Sequence, residues 1–339
     1  MVSFLAPGRV NLIGEHTDHG GGLSLPAAID RYVRVDVADR SDRIELRSPG
    51  RAHAQVAADG SGRAEGWARF PAAVAAELAE LGRPPVGITG EISSDLPAEA
   101  GLASSAALTV AVAMALCDSA GFSLESMELA ELCRRAEERA VGVPCGVMDH
   151  VASIFGRADH AILLNASDGT VDQVPLPPEL RLIVLDSGVG RRLEDSEYRL
   201  RRDQLQQALA GERSPVLDRR RRHFETEDLR VTEVVRALHA VPPDLAAVGA
   251  ALAAGHASLR DDFEVSTPEL DSLVEEAVRR GATGARLTGA GFGGAVVALA
   301  DARDAEAIGS ATIAAYRERF PAPPSRYLVC RAAGGAARV

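Results

Sequence analysis

The sequence predicts a mixed α/β protein built as two domains. Its 339 residues exceed what one ordinary hydrophobic core organises and fit about two domains. Residues 32–38 and 44–46 alternate with the two-residue period of strands, whereas residues 69–81 and 127–140 carry apolar side chains at helical spacing. At 46% hydrophobic content, each domain can bury a core.

The first element, residues 6–18, is a strand followed by a turn, with Val10, Leu12 and Ile13 directed inward. It also gathers Arg9, Glu15, His16 and Asp18 around Gly8 and Gly14. A polar-edged strand whose charges are merely solvated is one explanation. The other is a ligand site, because residues 14–18 alone supply two carboxylates, an imidazole and a hydroxyl. Polyhydroxylated ligands need that mixture of donors and acceptors.

Within residues 95–117, Pro97 and Gly101 break regular structure, and Ser104 and Ser105 stand where the N-cap of a strongly apolar helix belongs. The exposed N–H groups and partial positive charge of a helix start suit a polyphosphate, and a serine hydroxyl can join a Mg²⁺ shell. The bland counterpart is an N-capped core helix. Further on, Gly142 and Pro144 shape the turn that carries Asp149, either as a carboxylate held against a substrate hydroxyl or as a helix cap. Glu137, on the preceding helix, is either a metal carboxylate or a solvent-facing charge.

A turn at residues 165–170 closes the first half, and a strand at 182–185 opens the second. The domains are therefore expected to be residues 1–170 and 171–339. Arginine-rich helices follow at 194–209 and around residue 219. The run Arg219–Arg222 reads as a solvated helix face because Asp218, Glu225, Glu227 and Asp228 surround it. Residues 289–294 spell GxGxxG, but residues 295–299 are β-like, so the strand–loop–helix context of a dinucleotide site is missing. A glycine loop between strands lets backbone pass close to a neighbouring loop or to a substrate and its phosphate.

Composition excludes several chemistries. The formal charge of −11 repels nucleic acid and anionic membranes. All 37 basic residues are arginine, so a P-loop lysine, a protein-kinase lysine and a Schiff base are ruled out. Arginine, backbone N–H groups, helix termini or a metal must then meet any phosphate. Cys117, Cys133, Cys145 and Cys330 form no CxxC pair and read as buried, reduced thiols of a cytoplasmic protein. The longest apolar stretch, residues 106–117, is too short to cross a bilayer. No feature specifies an oligomer, so a monomer is expected.

Taken together, residues 7–18, 96–107 and 287–294 resemble the motifs of the GHMP kinase superfamily and, within it, the galactokinase family. Residues 145–149, 196–198 and 256–264 match as well, in the family's order. The resemblance implies a two-domain GHMP kinase fold, with the active site in a cleft between an N-terminal α/β domain and a C-terminal ferredoxin-like α+β domain. It implies phosphoryl transfer from MgATP to the anomeric hydroxyl of a monosaccharide, galactose above all.

Matched residue by residue, Asp149 and Arg9 fall on catalytic positions. Glu15, His16, Asp18, Gly146 and Tyr198 fall on sugar contacts. Pro97, Gly101, Leu102, Ala103, Ser104, Ser105 and Ala106 fall on the ATP loop, and Ser105 and Glu137 on magnesium ligands. Departures are His19 and Gly20 where the family continues with Tyr-Asn, Ala103 for the first of three serines, and Thr109 at a usually acidic position. A GHMP kinase for another monosaccharide, or a silent sugar and ATP sensor, are the competing functions.

Overall fold

The structure, a computed structural model, describes residues 2–97, 101–189, 194–321 and 324–339, without the side chains of 194–196. Alternation of apolar side chains builds β1 (Val2–Asn11), whose Phe4, Ala6 and Val10 are buried. β2 (Leu23–Ser24), β3 (Pro26–Ser41), β4 (Arg43–Arg47) and β5 (Ala54–Ala57) follow. The helical spacing noted above becomes α1 (Arg69–Glu80), then come β6 (Gly87–Ser94) and α2 (Ser104–Ala120), and the next spaced segment becomes α3 (Ser126–Val141). α4 (Met148–Phe155), β7 (His160–Asn165) and β8 (Thr170–Pro175) complete the first half, with the 165–170 turn joining the β7–β8 hairpin.

β1 lies between β3 and the chain's last strand in a six-stranded sheet that continues through β6, β4 and β5. The β1–β3 register shifts between Pro7 and Arg9. Such a bulge re-aims a side chain, here Arg9. α2 lies across β1 and β3, and its apolar residues are buried around most of its circumference because α1 and α3 cover its outer side.

The second half begins with β9 (Leu180–Asp186) and continues through α5 (Glu194–Leu209), α6 (Pro215–His239), α7 (Leu245–Asp261) and α8 (Pro268–Arg279). β10 (Gly284–Thr288), β11 (Ala295–Asp301), α9 (Ala305–Arg319) and β12 (Arg326–Cys330) complete a sheet in the order β10-β11-β9-β12, antiparallel throughout. That is the ferredoxin-like order. β9 is apolar at consecutive positions because both faces are covered: Leu182 and Val184 join the large core around β1 and α2, while Ile183 and Leu185 join a second core with Leu273 and Tyr316. β13 (Ala337–Arg338) returns to pair with β1, and Ala332 bridges Ile29, so the tail rejoins the first sheet.

Two expectations change. The run Arg219–Arg222 is solvated only in part: Arg222 is exposed and pairs with Asp262, Arg219 is partly covered and pairs with Glu264, but Arg220 is fully buried against Gln204, Asp262 and Glu264. Its acidic partners come from the segment after α7 rather than from the run's own helix. Of the cysteines, Cys117, Cys133 and Cys330 are buried and free as expected, but Cys145 is only partly covered and lines the cavity described next. Among the described residues no helix is long and apolar enough to cross a membrane.

Candidate active site

The bulge in β1 sends Arg9 toward the first turn of α4. Its Nε and Nη2 donate to Oδ1 and Oδ2 of Asp149 at 2.8 and 2.7 Å, and its Nη1 donates to the Gly101 carbonyl at 2.7 Å. This two-point, charge-assisted contact fixes both partners. Arg9 is buried while 29% of the Asp149 side chain remains exposed, facing a cavity of about 270 Å³. Asp149 caps nothing; Val147 is the N-cap of α4.

The backbone of β1 touches the serine loop directly. Arg9 N donates to Leu102 O at 3.1 Å, and a Cβ on Gly8 would stand 2.6 Å from that carbonyl, so only glycine permits the approach. Ala98, Glu99 and Ala100 of this loop lie outside the described residues. Pro97 is partly covered, Leu102 and Ala106 are buried, and Ser104 is exposed. The expected serine cap is absent. Ala103 holds the N-cap position at φ 57°, a left-handed conformation. Ser105 instead turns its hydroxyl to Glu137 Oε1, and among the described residues no side chain caps the first turn of α2.

Glu137 is not solvent-facing: 16% of its side chain is exposed, and its Oε2 lies 2.9 Å from His150 Nε2. Burial alone would raise its pKa, but His150, the Ser105 hydroxyl and the Arg9 charge more than offset this and hold it below the ordinary value. A second cavity of about 230 Å³ lies beyond this contact. Trp67, Phe70, Leu96 and Leu108 form its apolar walls, and Ser104 and Ser105 its rim. The start of α2 therefore separates a polar cavity from an apolar one.

The opposite wall of the polar cavity comes from residues 14–19, α5 and the glycine loop. His16 adopts φ 65° and stacks on Phe263 at 4.6 Å. Burial, with His19 and His223 nearby, keeps it neutral by lowering its pKa well below the ordinary value, and its Nε2 has no hydrogen-bond partner among the described residues. Asp18 abuts Gly146, where a Cβ would collide with Oδ2. Tyr198 Oη lies 2.6 Å from His19 Nε2, and burial raises the phenol's pKa well above its usual range. The side chain of neighbouring Ser196 is outside the described set. Gly289 and Ala290 complete the lining, brought there because Thr288 Oγ1 accepts from Asn11 N and donates to Asn11 O, both at 3.0 Å.

Glu15 reaches the cavity from a sealed position. Its Oε2 accepts from Arg286 Nη2 at 2.5 Å, and the same Nη2 lies 2.7 Å from Glu227 Oε1. Sequence reasoning missed Arg286, Glu227 and His150, and it singled out His19 only as a departure from the family motif. A charged residue within the apolar strand Gly284–Thr288 was the available signal for Arg286; Glu227 had none, since it was counted among solvated helix charges.

Both halves of the chain match known protein families. Residues 69–157 match the GHMP kinases N terminal domain, and residues 234–318 match the GHMP kinases C terminal model. The two halves thus define a GHMP kinase. Residues 2–39 match the galactokinase galactose-binding signature.

The chain is 39% identical to the galactokinase of Roseiflexus sp. (strain RS-1), covering 98% of this chain and 92% of that protein. It is also 39% identical to the galactokinase of Streptomyces coelicolor, over 89% and 85% respectively. The crystal structure of Lactococcus lactis galactokinase complexed with galactose superposes with a TM-score of 0.90 at 28% identity, covering 100% of this chain and 95% of that one. A mevalonate kinase at 20% identity and a TM-score of 0.72 shares the fold. The chain belongs to the galactokinase family.

Proposed function

We propose that this chain transfers the γ-phosphoryl group of ATP to the anomeric hydroxyl of D-galactose, giving galactose 1-phosphate and ADP, and that it does so as a monomer. As a family member it is an ATP-dependent phosphotransferase with an alcohol acceptor. The observation that carries the assignment is the Arg9–Asp149 pair, partly open to a cavity that also holds Glu15, His16 and Asp18. We divide the domains at residue 170, so that residues 1–170 supply this pair and 171–339 supply Tyr198 and the glycine loop.

In this reading Asp149 accepts a hydrogen bond from the anomeric hydroxyl and takes its proton as the oxygen attacks the γ-phosphorus. The bond to the ADP oxygen breaks in line. Arg9 holds Asp149 in place and offsets charge spreading over the transferring phosphoryl oxygens. Glu15, His16, Asp18, Gly146 and Tyr198 orient the sugar.

Pro97, Gly101, Leu102, Ala103, Ser104, Ser105 and Ala106 form the phosphate loop. The uncapped first turn of α2 offers N–H groups to a polyphosphate, and the apolar cavity beside Trp67 and Phe70 suits the base. A hydroxyl and an ionised carboxylate are hard oxygen donors of the kind Mg²⁺ takes, so Ser105 and Glu137 would hold it. Bound there, the ion neutralises phosphate charge.

Release of ADP from MgATP across a panel of hexoses, pentoses, amino sugars and uronic acids tests the proposal. Galactose should give the highest kcat/KM. Preference for another sugar would reassign the pocket around His19, and no ADP with any sugar would leave a silent sensor.

A further inference from the structure

Arg286 sits at the centre of a buried cluster of which the reaction described above uses only Glu15. It projects from β10, fully buried, between Glu15 of the first half and Glu227 on α6. Glu227 is held in turn by Arg230 Nε at 2.8 Å and by Gly14 N at 2.9 Å. Glu227 therefore grips the backbone immediately before Glu15 as well as the arginine that grips Glu15. A Cβ on Gly255 would lie 2.3 Å from Arg286 Nη1, so α7 needs glycine there to admit the guanidinium. His223 Nε2 lies 3.1 Å from the Glu15 carbonyl, while its Nδ1 contacts Ser258.

Three atoms of this cluster, Glu15 Oε1, Arg286 Nη1 and Arg230 Nη2, have no hydrogen-bond partner among the described residues, and of the three residues only Glu15 lines the cavity. Glu15 Oε2 is committed to Arg286, while Oε1 is buried without a hydrogen-bond partner among the described residues although Glu15 lines the cavity. The Gly289 amide faces the carboxylate but does not satisfy Oε1. Buried acceptors are ordinarily paired, so an orphan beside a cavity marks where a ligand donor belongs.

We propose that Arg286 and Glu227 are positioning residues for sugar recognition: they clamp one oxygen of Glu15 and present the other as acceptor for a hydroxyl of the bound sugar. This rests on the sugar kinase reading and adds to it residues from the second half that touch no substrate.

The clamp is electrostatically asymmetric. Glu227 shares Arg286, His223 and Arg230, which outweigh its burial and hold it at about 2. Glu15 faces Arg286, Glu227, the Gly289 amide and the more distant Arg9; burial dominates, Glu227 adds to it, and its pKa is pushed up to about 7. Neutralising Glu227 removes a like charge and leaves Arg286 to Glu15 alone. Both changes favour the Glu15 carboxylate. Since an acceptor for a sugar hydroxyl works best ionised, sugar binding should weaken as pH falls through the Glu15 transition, and E227Q should move that transition to lower pH.

The test is the pH profile of kcat/KM for galactose, from pH 5.5 to 9, in wild type and E227Q. Wild type should show an acid limb near pH 7. In E227Q the limb should shift down by about one unit, raising kcat/KM at pH 6, relative to its own plateau, about fivefold. A limb that stays in place, or is missing in wild type, overturns the proposal; a merely structural Glu227 would lower the plateau without moving the limb.

Should E227Q fail to fold, calorimetry of galactose binding to wild type with MgADP present, in buffers of different ionisation enthalpy, decides the matter. Proton release at pH 6.5 that vanishes by pH 9 supports it, and no release overturns it. Absence of ADP from wild type with every sugar defeats the kinase reading alone, while absence of galactose binding defeats both.

Discussion

Arg9 and Asp149 form an ion pair whose carboxylate is 29% exposed, whereas Arg286 and Glu15, lining or backing the same cavity, are 0% and 1% exposed. Both pairs join residues far apart in the chain, 140 positions in the first and 271 in the second. Their settings differ in solvent and in competition. Asp149 has two guanidinium nitrogens, Nε and Nη2 of Arg9, aligned on its two oxygens, while Glu15 shares one nitrogen with Glu227. An exposed, fully satisfied carboxylate can meet a proton and a substrate with little reorganisation. A buried one competing for its cation is suited to holding shape, and its charge depends on its neighbours.

The largest expected effect separates chemistry from folding at the open pair. Asp149→Ala should lower kcat about 10²–10⁴-fold, the usual range for a positioned acid–base group. Its thermal midpoint should fall less than that of the sealed-pair variant below, because Asp149 faces the cavity and water entering there can solvate the Arg9 guanidinium. Turnover near wild type would remove Asp149 from the mechanism and erase the contrast.

At the sealed pair the balance should invert. Arg286→Met keeps bulk but leaves two buried carboxylates without their shared cation, a loss of about 3–5 kcal/mol in urea unfolding at pH 8. The deficit should shrink near pH 5.5, where a carboxylate can take up a proton instead. Equal stability to wild type at both pH values would mean that the cluster is held by packing alone.

The sign of Glu15's contribution gives a third discriminator. Its folded pKa of about 7 exceeds the ordinary 4.5, so the stability it confers is full below pH 4.5 and lost as pH rises to 7. His223 and His256 run the other way: burial lowers both from 6.5 to about 4, so they cost stability as pH falls through that window. Glu15 therefore partly cancels the histidines between pH 4.5 and 6.5. Glu15→Gln should steepen the loss of stability on acidification by up to about 1.4 kcal/mol per pH unit. Urea midpoints with an unchanged slope would show that Glu15 is ionised throughout.

The two regions also differed in how far the sequence revealed them. Helices α1 and α3 followed from apolar spacing within two residues at each end, and β9 from its apolar run, because burial of those faces is decided locally. Arg9 and Asp149 stood out because they sit beside Gly8, Gly142 and Pro144, whereas Glu137 was left open between a metal carboxylate and a solvent-facing charge, and only its contacts with Ser105 and His150 show that it points inward. Arg286 and Glu227 were not, since nothing within a few residues of either says that they meet across the two halves. Arg220 was misread for the same reason: its partners Asp262 and Glu264 lie about forty residues away. The serine cap failed differently. Serine favours caps, but the Ser105 hydroxyl is drawn to Glu137, which leaves Ala103 at the boundary.

That Ser105–Glu137 contact predicts a smaller effect on the open side. Glu137→Gln keeps the shape and removes the charge, so the Mg²⁺ concentration for half-maximal rate should rise about tenfold or more. An unchanged Mg²⁺ requirement would assign Glu137 to orienting His150 and Ser105 only.

The smallest effect concerns Ala103, whose φ of 57° is a conformation that L-residues other than glycine, asparagine and aspartate avoid. Left-handed backbone costs an alanine about 1–2 kcal/mol. Glycine escapes that penalty but loses about 0.4–1 kcal/mol through the greater freedom of its unfolded chain. Ala103→Gly should therefore stabilise the protein by about 0 to 1.6 kcal/mol, read as a small rise in the urea midpoint. If the methyl group also restricts the loop so that the first N–H groups of α2 stay aimed at one point, the same variant should bind ATP more weakly while KM for galactose is unchanged. A loss confined to ATP would place the strain on the phosphate side of the cavity, opposite the buried clamp on the sugar side. A parallel loss for both substrates would mean that the two walls move together.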